Sequence, residues 1–302
     1  MEFLSVRRIN KKISRCATAL FLSGSIGLVQ AAEIATDPGD YIPLPAGTDL
    51  LVLYLQHNHF NAYYADGKKQ ADDFEMESNI GIFRYVHFME LGGIVLDPQI
   101  VVPFGEIKLK KPFAGLSETS STGLGDPMVG ATAWLHNNPE TRRYLGVTAT
   151  AALPLGDYDG DRGPINLGQN RWRGIFQVGY VTPIAARTTL ELITEYAVYG
   201  KNDDYLGMTQ ERDDSYGIQG HLSYTPIPGT RFAVSYFHDY GGETELGGVS
   251  QADELDNSRW LLSAATRLTA DTQLLLQYGD SIKVENGAYE RQRVNLRLAK
   301  AF

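Results

Sequence analysis

Residues 294–302 read VNLRLAKAF. In an extended chain successive side chains point to opposite faces. Val294, Leu296, Leu298 and Phe302 therefore share one face, and Asn295, Arg297, Ala299 and Ala301 share the other. One face is apolar and the other is polar or small. The same two-faced pattern returns repeatedly toward the N-terminus. Leu190, Leu192, Tyr196 and Val198 alternate with Glu191, Ile193, Glu195 and Ala197, and Tyr216, Ile218, Leu222 and Tyr224 with Gly217, Gln219, His221 and Ser223. Trp260, Leu262, Ala264 and Leu268 alternate with Arg259, Ser263 and Arg267, and Leu145, Val147, Ala149, Ala151 and Leu153 with Gly146, Thr148, Thr150 and Ala152. Residues 49–55 are apolar on both faces, so their orientation stays open.

Working outward from these segments, about twelve strands are predicted, at 49–59, 76–88, 93–104, 125–136, 143–154, 171–182, 188–199, 214–225, 230–240, 258–268, 271–282 and 290–302. Most have the roughly 9–11 residues that a tilted membrane strand needs. Their connections alternate. The stretches 105–124, 155–170, 200–213 and 240–257 are long, while 136–142, 225–230 and 268–271 are short. The expected fold is all-β: a transmembrane, antiparallel, up-and-down β-barrel with long extracellular loops and short periplasmic turns. Only a closed barrel lets strands satisfy their backbone groups inside lipid. Tyr180, Tyr196, Tyr199, Tyr216, Tyr224, Tyr236 and Trp172 lie near strand ends, as in the aromatic belts of membrane interfaces. A soluble secreted β-protein is the competing reading, and it gives no reason for one end to hold the long acidic loops.

The first 31 residues read as a cleaved signal peptide. Arg7, Arg8, Lys11, Lys12 and Arg15 precede a short apolar run, residues 17–29, that is broken by Gly and Ser; small residues follow at Ala31 and Ala32. The single cysteine, Cys16, leaves with it, so the mature chain has no disulfide or thiolate site. Five basic residues and Glu2 give the leader +4, which takes the remainder from −9 for the whole chain to −13. That charge argues against a nucleic-acid partner. The mean hydropathy is −0.22, and no mature segment approaches a transmembrane helix. Residues 32–48 carry Pro38, Pro43 and Pro45, which resist a strand ladder. They form either a periplasmic tail or a plug in the lumen ahead of the barrel at 49–302.

Two resemblances add to this reading. A closing amphipathic strand that ends in Phe302 resembles the C-terminal assembly signal of bacterial outer-membrane barrels. It implies the outer membrane as location, with lipid and the barrel-assembly machinery as partners. Gly123-Leu124-Gly125-Asp126-Pro127, then Leu153-Pro154-Leu155-Gly156-Asp157-Tyr158, with Val101-Val102-Pro103-Phe104-Gly105 upstream, resembles the outer-membrane family associated with the meta-pathway of phenol degradation. That family comprises transporters linked to uptake of aromatic and other hydrophobic compounds. The resemblance implies a barrel and a small hydrophobic or aromatic solute. It carries over no mechanistic residues. Read locally, Gly125-Asp126-Pro127 is a turn that leads into a strand.

Candidate functional residues follow from the polar face. Arg259, Arg267, Gln273, Gln277, Arg291, Arg293, Asn295 and Arg297 make a basic stripe on one lumen wall, and Glu191 and Glu195 are expected to face it across a narrow barrel. Opposed walls of this kind tune selectivity or pair and fill the lumen. Arg293 and Glu191 are the expected constriction. Asp157, Asp159 and Asp161 have part of a calcium-loop spacing, but lack Gly at the sixth position and Glu at the twelfth. His221 and Ser223 put a base and a hydroxyl on one face, yet Tyr224-Thr225 follows where outer-membrane phospholipases have Asn-Gly, and no third residue orients the histidine. The sequence therefore favours an outer-membrane channel for passive uptake, without cofactor, metal or enzymatic activity. A closed barrel that binds through its outer loops is the alternative, and an outer-membrane hydrolase a weaker one.

Overall fold

The computed structural model describes residues 35–302, residue 72 excepted. The expected signal peptide at 1–31 and residues 32–34 lie outside the described residues. Twelve antiparallel strands form the wall: β1 (Asp49–Ala65), β2 (Met76–His87), β3 (Gln99–Leu109), β4 (Met128–Asn138), β5 (Arg143–Ala152), β6 (Arg173–Ala185), β7 (Thr188–Tyr199), β8 (Ser215–Ile227), β9 (Thr230–Gly241), β10 (Leu255–Arg267), β11 (Thr272–Lys283) and β12 (Gly287–Ala301). Each pairs with the next, and β12 returns to β1 in a register running from Leu50↔Ala301 to Tyr64↔Gly287. The closed twelve-stranded barrel is borne out, and each strand overlaps its expected span. The third strand starts at Gln99 rather than 93, because Met89–Leu91 and Ile94–Leu96 fold into a small hairpin beneath it.

Alternation decides which side chains point outward. Leu55, Val178, Leu192, Leu222, Val234, Leu262, Leu276 and Leu298 point outward and stay 40–52% exposed. Such a continuous apolar band belongs against an acyl-chain environment. At its outer edge Phe176, Tyr196, Tyr216 and Tyr240, from β6 to β9, follow one another around the barrel with ring centroids 6.3, 5.4 and 5.2 Å apart. Tyr199 departs from the expected belt. It turns inward, bonds Ser215 and lies under the Arg212 guanidinium.

Both ends of the wall sit on the side of the short connections, residues 139–142, 186–187, 228–229 and 268–271. Asp49 and Phe302 exchange backbone hydrogen bonds of 2.9 Å there. The other side carries the long connections, and 284–286 is its one short hairpin. Two of the long loops build a second, four-stranded sheet from Asn202–Tyr205, Met208–Arg212, Thr244–Leu246 and Val249–Ser250.

The orientation that residues 49–55 left open is settled by what lies inside. Val52 is buried and Leu50 packs against a cluster of Tyr41, Val86, Phe88, Trp134 and Ile193. A second cluster, with Phe60, Met76, Ile80, Ile107, Leu109 and Ile175, covers the inner face nearer the long loops. The inner faces of β1 to β3 are thus largely apolar, with Asn58, Ser78 and Arg84 as exceptions, which is why their two-sided pattern was illegible.

Candidate functional site

The lumen is occupied by the chain that precedes β1. Residues 36–41 touch most of the strands. Thr36 bonds Gln219 and His221 of β8 at 2.8–2.9 Å. Asp37 accepts from Gln277 of β11 and Arg297 of β12 at 2.8 and 2.9 Å. Pro38 offers its carbonyl to Arg231, and the Gly39 N–H donates to Glu191. Asp40 pairs with Arg84 at 3.3 Å and with Arg297 at 3.1 Å.

Tyr41 is the seat of this segment. Gly146 and Gly179 face each other across β5 and β6, and a Cβ on Gly179 would lie 2.3 Å from the tyrosine ring. Their missing side chains make the notch that the ring fills. The hydroxyl bonds Thr148 at 2.9 Å and Gln177 at 3.1 Å, and the Trp134 indole donates to the Tyr41 carbonyl.

The expected polar residues are redistributed by this filling. Arg297 and Gln277 hold Asp37, and Gln273 accepts a bond from Arg297. Glu191 takes the Gly39 N–H, and Glu195 bonds Gln177 and pairs with Arg173 at 3.6 Å on its own wall. Arg293 grips Glu290 in a two-pronged pair at 2.8 and 2.9 Å, and Arg259 pairs with Asp239 at 3.2 Å. Glu191, Glu195, Arg259, Arg293 and Arg297 thus each have a partner beside them or on the inserted segment. Arg291 is outside the lumen: β12 bulges there, its neighbours Glu290 and Gln292 pair with consecutive β1 residues, and its side chain meets Asp280. An extra residue in one strand breaks the alternation locally. Arg267 is exposed at the short-turn rim.

Above the segment, toward the long loops, lies a cavity of about 210 Å³. Its wall includes Phe60, Tyr158, Tyr205, Arg171, Arg212 and Asn257. Arg171 and Arg212 come from the loop 153–172 and the outer sheet, where sequence alternation has no say. Arg171 is 8% exposed and donates to Gln210. Burial, and then the neighbouring Arg212, push its pKa down to about 10.

The other candidates serve structure. Asp157 accepts the Leu124 N–H, and Asp159 accepts the Asp161 N–H while pairing with Arg162. His221 is fully buried between Ser235 and Thr36 at 2.8 and 2.9 Å, two hydroxyls in place of a nucleophile–base–acid chain. His59, Glu75 and Glu77 bring ligand atoms within 4.8 Å of one another, but Lys110 and Lys111 already pair with the two carboxylates.

Comparison with known proteins fits this geometry. A family model described as "Putative MetA-pathway of phenol degradation" matches residues 61–298. The crystal structure of the COG4313 outer membrane channel from Pseudomonas putida F1 is 35% identical to the chain, with a TM-score of 0.84 over 89% of this chain and 100% of that one. The KdgM porin in complex with disordered oligogalacturonate is 7% identical with a TM-score of 0.46, over 83% of this chain and 99% of that one. A mutant of the TodX monoaromatic hydrocarbon channel is 9% identical with a TM-score of 0.47, over 85% and 90%. These last two likenesses are too slight to bear on function. No curated protein matches the chain.

Proposed function

The chain belongs to the outer-membrane family described as "Putative MetA-pathway of phenol degradation", and on that premise we propose that it passes small hydrophobic or aromatic solutes through a lumen whose opening depends on the segment around Tyr41. Its place as an outer-membrane channel follows from the closed twelve-stranded barrel and its full-length likeness to one. The solute class is the further step. The observation that supports it is the apolar packing on the inner side of β1 to β3, where Phe60, Met76, Ile80, Ile107 and Leu109 are buried together and Phe60 reaches the cavity. A water-filled porin has a polar interior, and a polar solute gains nothing from such a wall. Lipid contacts the outward apolar band, and Phe302 presents the signal to the assembly machinery. Glu191, Gln277 and Arg297, which hold residues 37–40, set selectivity by setting how that segment sits.

The test is conductance of the refolded protein in a planar bilayer, together with uptake of a labelled aromatic and of a sugar into proteoliposomes. We expect small, discrete steps and faster entry of the aromatic. Gly179→Val, which drives the Tyr41 ring off its seat, enlarges or prolongs the steps. Equal entry of sugar and aromatic overturns the solute class. A folded barrel that passes nothing in either form favours the second reading, a closed barrel that binds through its outer sheet, which the many bonds to residues 36–41 would then serve.

A further inference from the structure

Arg171 and Arg212 differ from most of the arginines inside the barrel and its mouth, and from Arg231, which takes the Pro38 carbonyl. Arg84, Arg173, Arg259, Arg293 and Arg297 each pair with a carboxylate. Among the described residues, Arg171 and Arg212 enter no ion pair. The Arg171 Nη2 donates to Gln210, but its Nε and Nη1 are buried without a hydrogen-bond partner, as is the Arg212 Nε. Both side chains line the cavity above the lumen segment. Arg171 is buried without a counter-charge, among the costlier arrangements in a protein, while Arg212 is half-buried over the Tyr199 ring. A tie to Gln210 alone accounts for one nitrogen of the Arg171 guanidinium and leaves two without a partner.

We propose that this cavity binds the carboxylate of a small organic anion, with Arg171 and Arg212 as its charged clamp. The proposal rests on the channel reading and names the class of solute that the mouth captures. Planar guanidinium groups suit a carboxylate, which accepts two parallel N–H bonds. A single negative charge fits better than a double one, because Glu195, Asp239, Asp253 and Glu290 also border the cavity and repel a dianion. Phe60, Tyr158 and Tyr205 offer the body of the anion ring faces and edges, and the site excludes large ligands. Its volume of about 210 Å³ is below the roughly 300–1,000 Å³ of drug-sized pockets. A single aromatic ring that bears one carboxylate meets these conditions.

Calorimetric titration of the folded, detergent-solubilised full barrel tests it, with benzoate, benzyl alcohol and inorganic phosphate as probes. Saturable benzoate binding is expected, with benzyl alcohol and phosphate at least about tenfold weaker. Arg171→Gln should weaken benzoate roughly ten- to a hundredfold, the size of lost charge-assisted hydrogen bonds. Heat-dependent gel mobility establishes that the variant is folded. If it is not, Arg212→Gln decides the question in the same way. Absence of saturable benzoate binding, phosphate binding as tight as benzoate, or a folded variant that binds benzoate unchanged overturns the proposal. Conductance steps without benzoate binding sink this inference and leave the channel standing. Benzoate binding with no passage of any solute sinks the channel reading instead.

Discussion

Asp126 shows what the motif residues do. Its Oδ1 accepts the Gly156 N–H at 2.9 Å and its Oδ2 the Gln169 N–H at 2.7 Å. Asp157 returns the clasp by accepting the Leu124 N–H at 2.7 Å. Gly156 lies so close that a Cβ there would sit 2.6 Å from the Gly125 carbonyl carbon. The stretches 123–127 and 153–158, which carry the family resemblance, are thus two halves of one clamp that holds the loop 153–172 over the barrel mouth. In Asp126→Asn only one oxygen remains to accept, and the Gln169 N–H faces an amide NH2. An unsatisfied buried donor costs roughly 1–3 kcal/mol. Limited proteolysis should then cut within 153–172 faster while the barrel keeps its heat resistance; unchanged cleavage would show that the clamp is not what orders the loop. The turn at Gly125-Asp126-Pro127 was readable from residue types. Its partner across the loop was not, because side-chain to backbone bonds between residues 30 and 43 positions apart leave no periodic trace.

Among the strands, the wall is uneven. β1 and β12 pair along almost their whole length, whereas β3 and β4 share only Gln99↔Gly130, Ile100↔Val129 and Val101↔Met128. The rest of β3 pairs with Thr119–Leu124, and the short-turn end of β4 with Ile94–Leu96. Two local hairpins therefore complete the wall where the neighbouring strands diverge. Fewer ladder bonds mean a lower local opening free energy. Hydrogen exchange should be measurably faster for the amides of residues 99–101 that face β4 than for those of residues 52–58 that face β12; equal protection at the two junctions would contradict this. Strand existence was legible here from alternation and loop length. The short seam was not, because the hairpin strands at 94–96 and 119–124 are too short to register as separate elements.

Across the assembled barrel, the acidic residues before β1 neutralise a basic lumen. Asp37 and Asp40 meet Arg84 and Arg297, and Arg231 binds the Pro38 carbonyl. The Asp37, Asp40, Arg84 and Arg297 side chains are at most 18% exposed, so their charges are weakly screened. With Asp37→Asn and Asp40→Asn combined, Arg84 and Arg297 lose their counter-charges and the segment loses its hold. Reversal potentials in a salt gradient should shift toward anion preference, with larger steps. A reversal potential equal to that of the unaltered protein would mean that the segment does not govern the ion path.

Strand number, strand spans, sidedness and the membrane setting were written in the order of residues along the chain. Each of these depends on a period of two and on the length and composition of connections, which neighbouring residues suffice to express. The contents of the lumen were decided only when the wall closed. Closure brings Tyr41 onto Gly146 and Gly179, and Asp37 onto Arg297, residues far apart in the chain. A one-residue bulge carries Arg291 outside, against its parity. The loops that bring Arg171 and Arg212 to one cavity follow no alternation at all. Alternation assigns a side chain to a face, but its partner across the lumen depends on the curvature of the whole sheet and on what the N-terminal chain leaves unfilled.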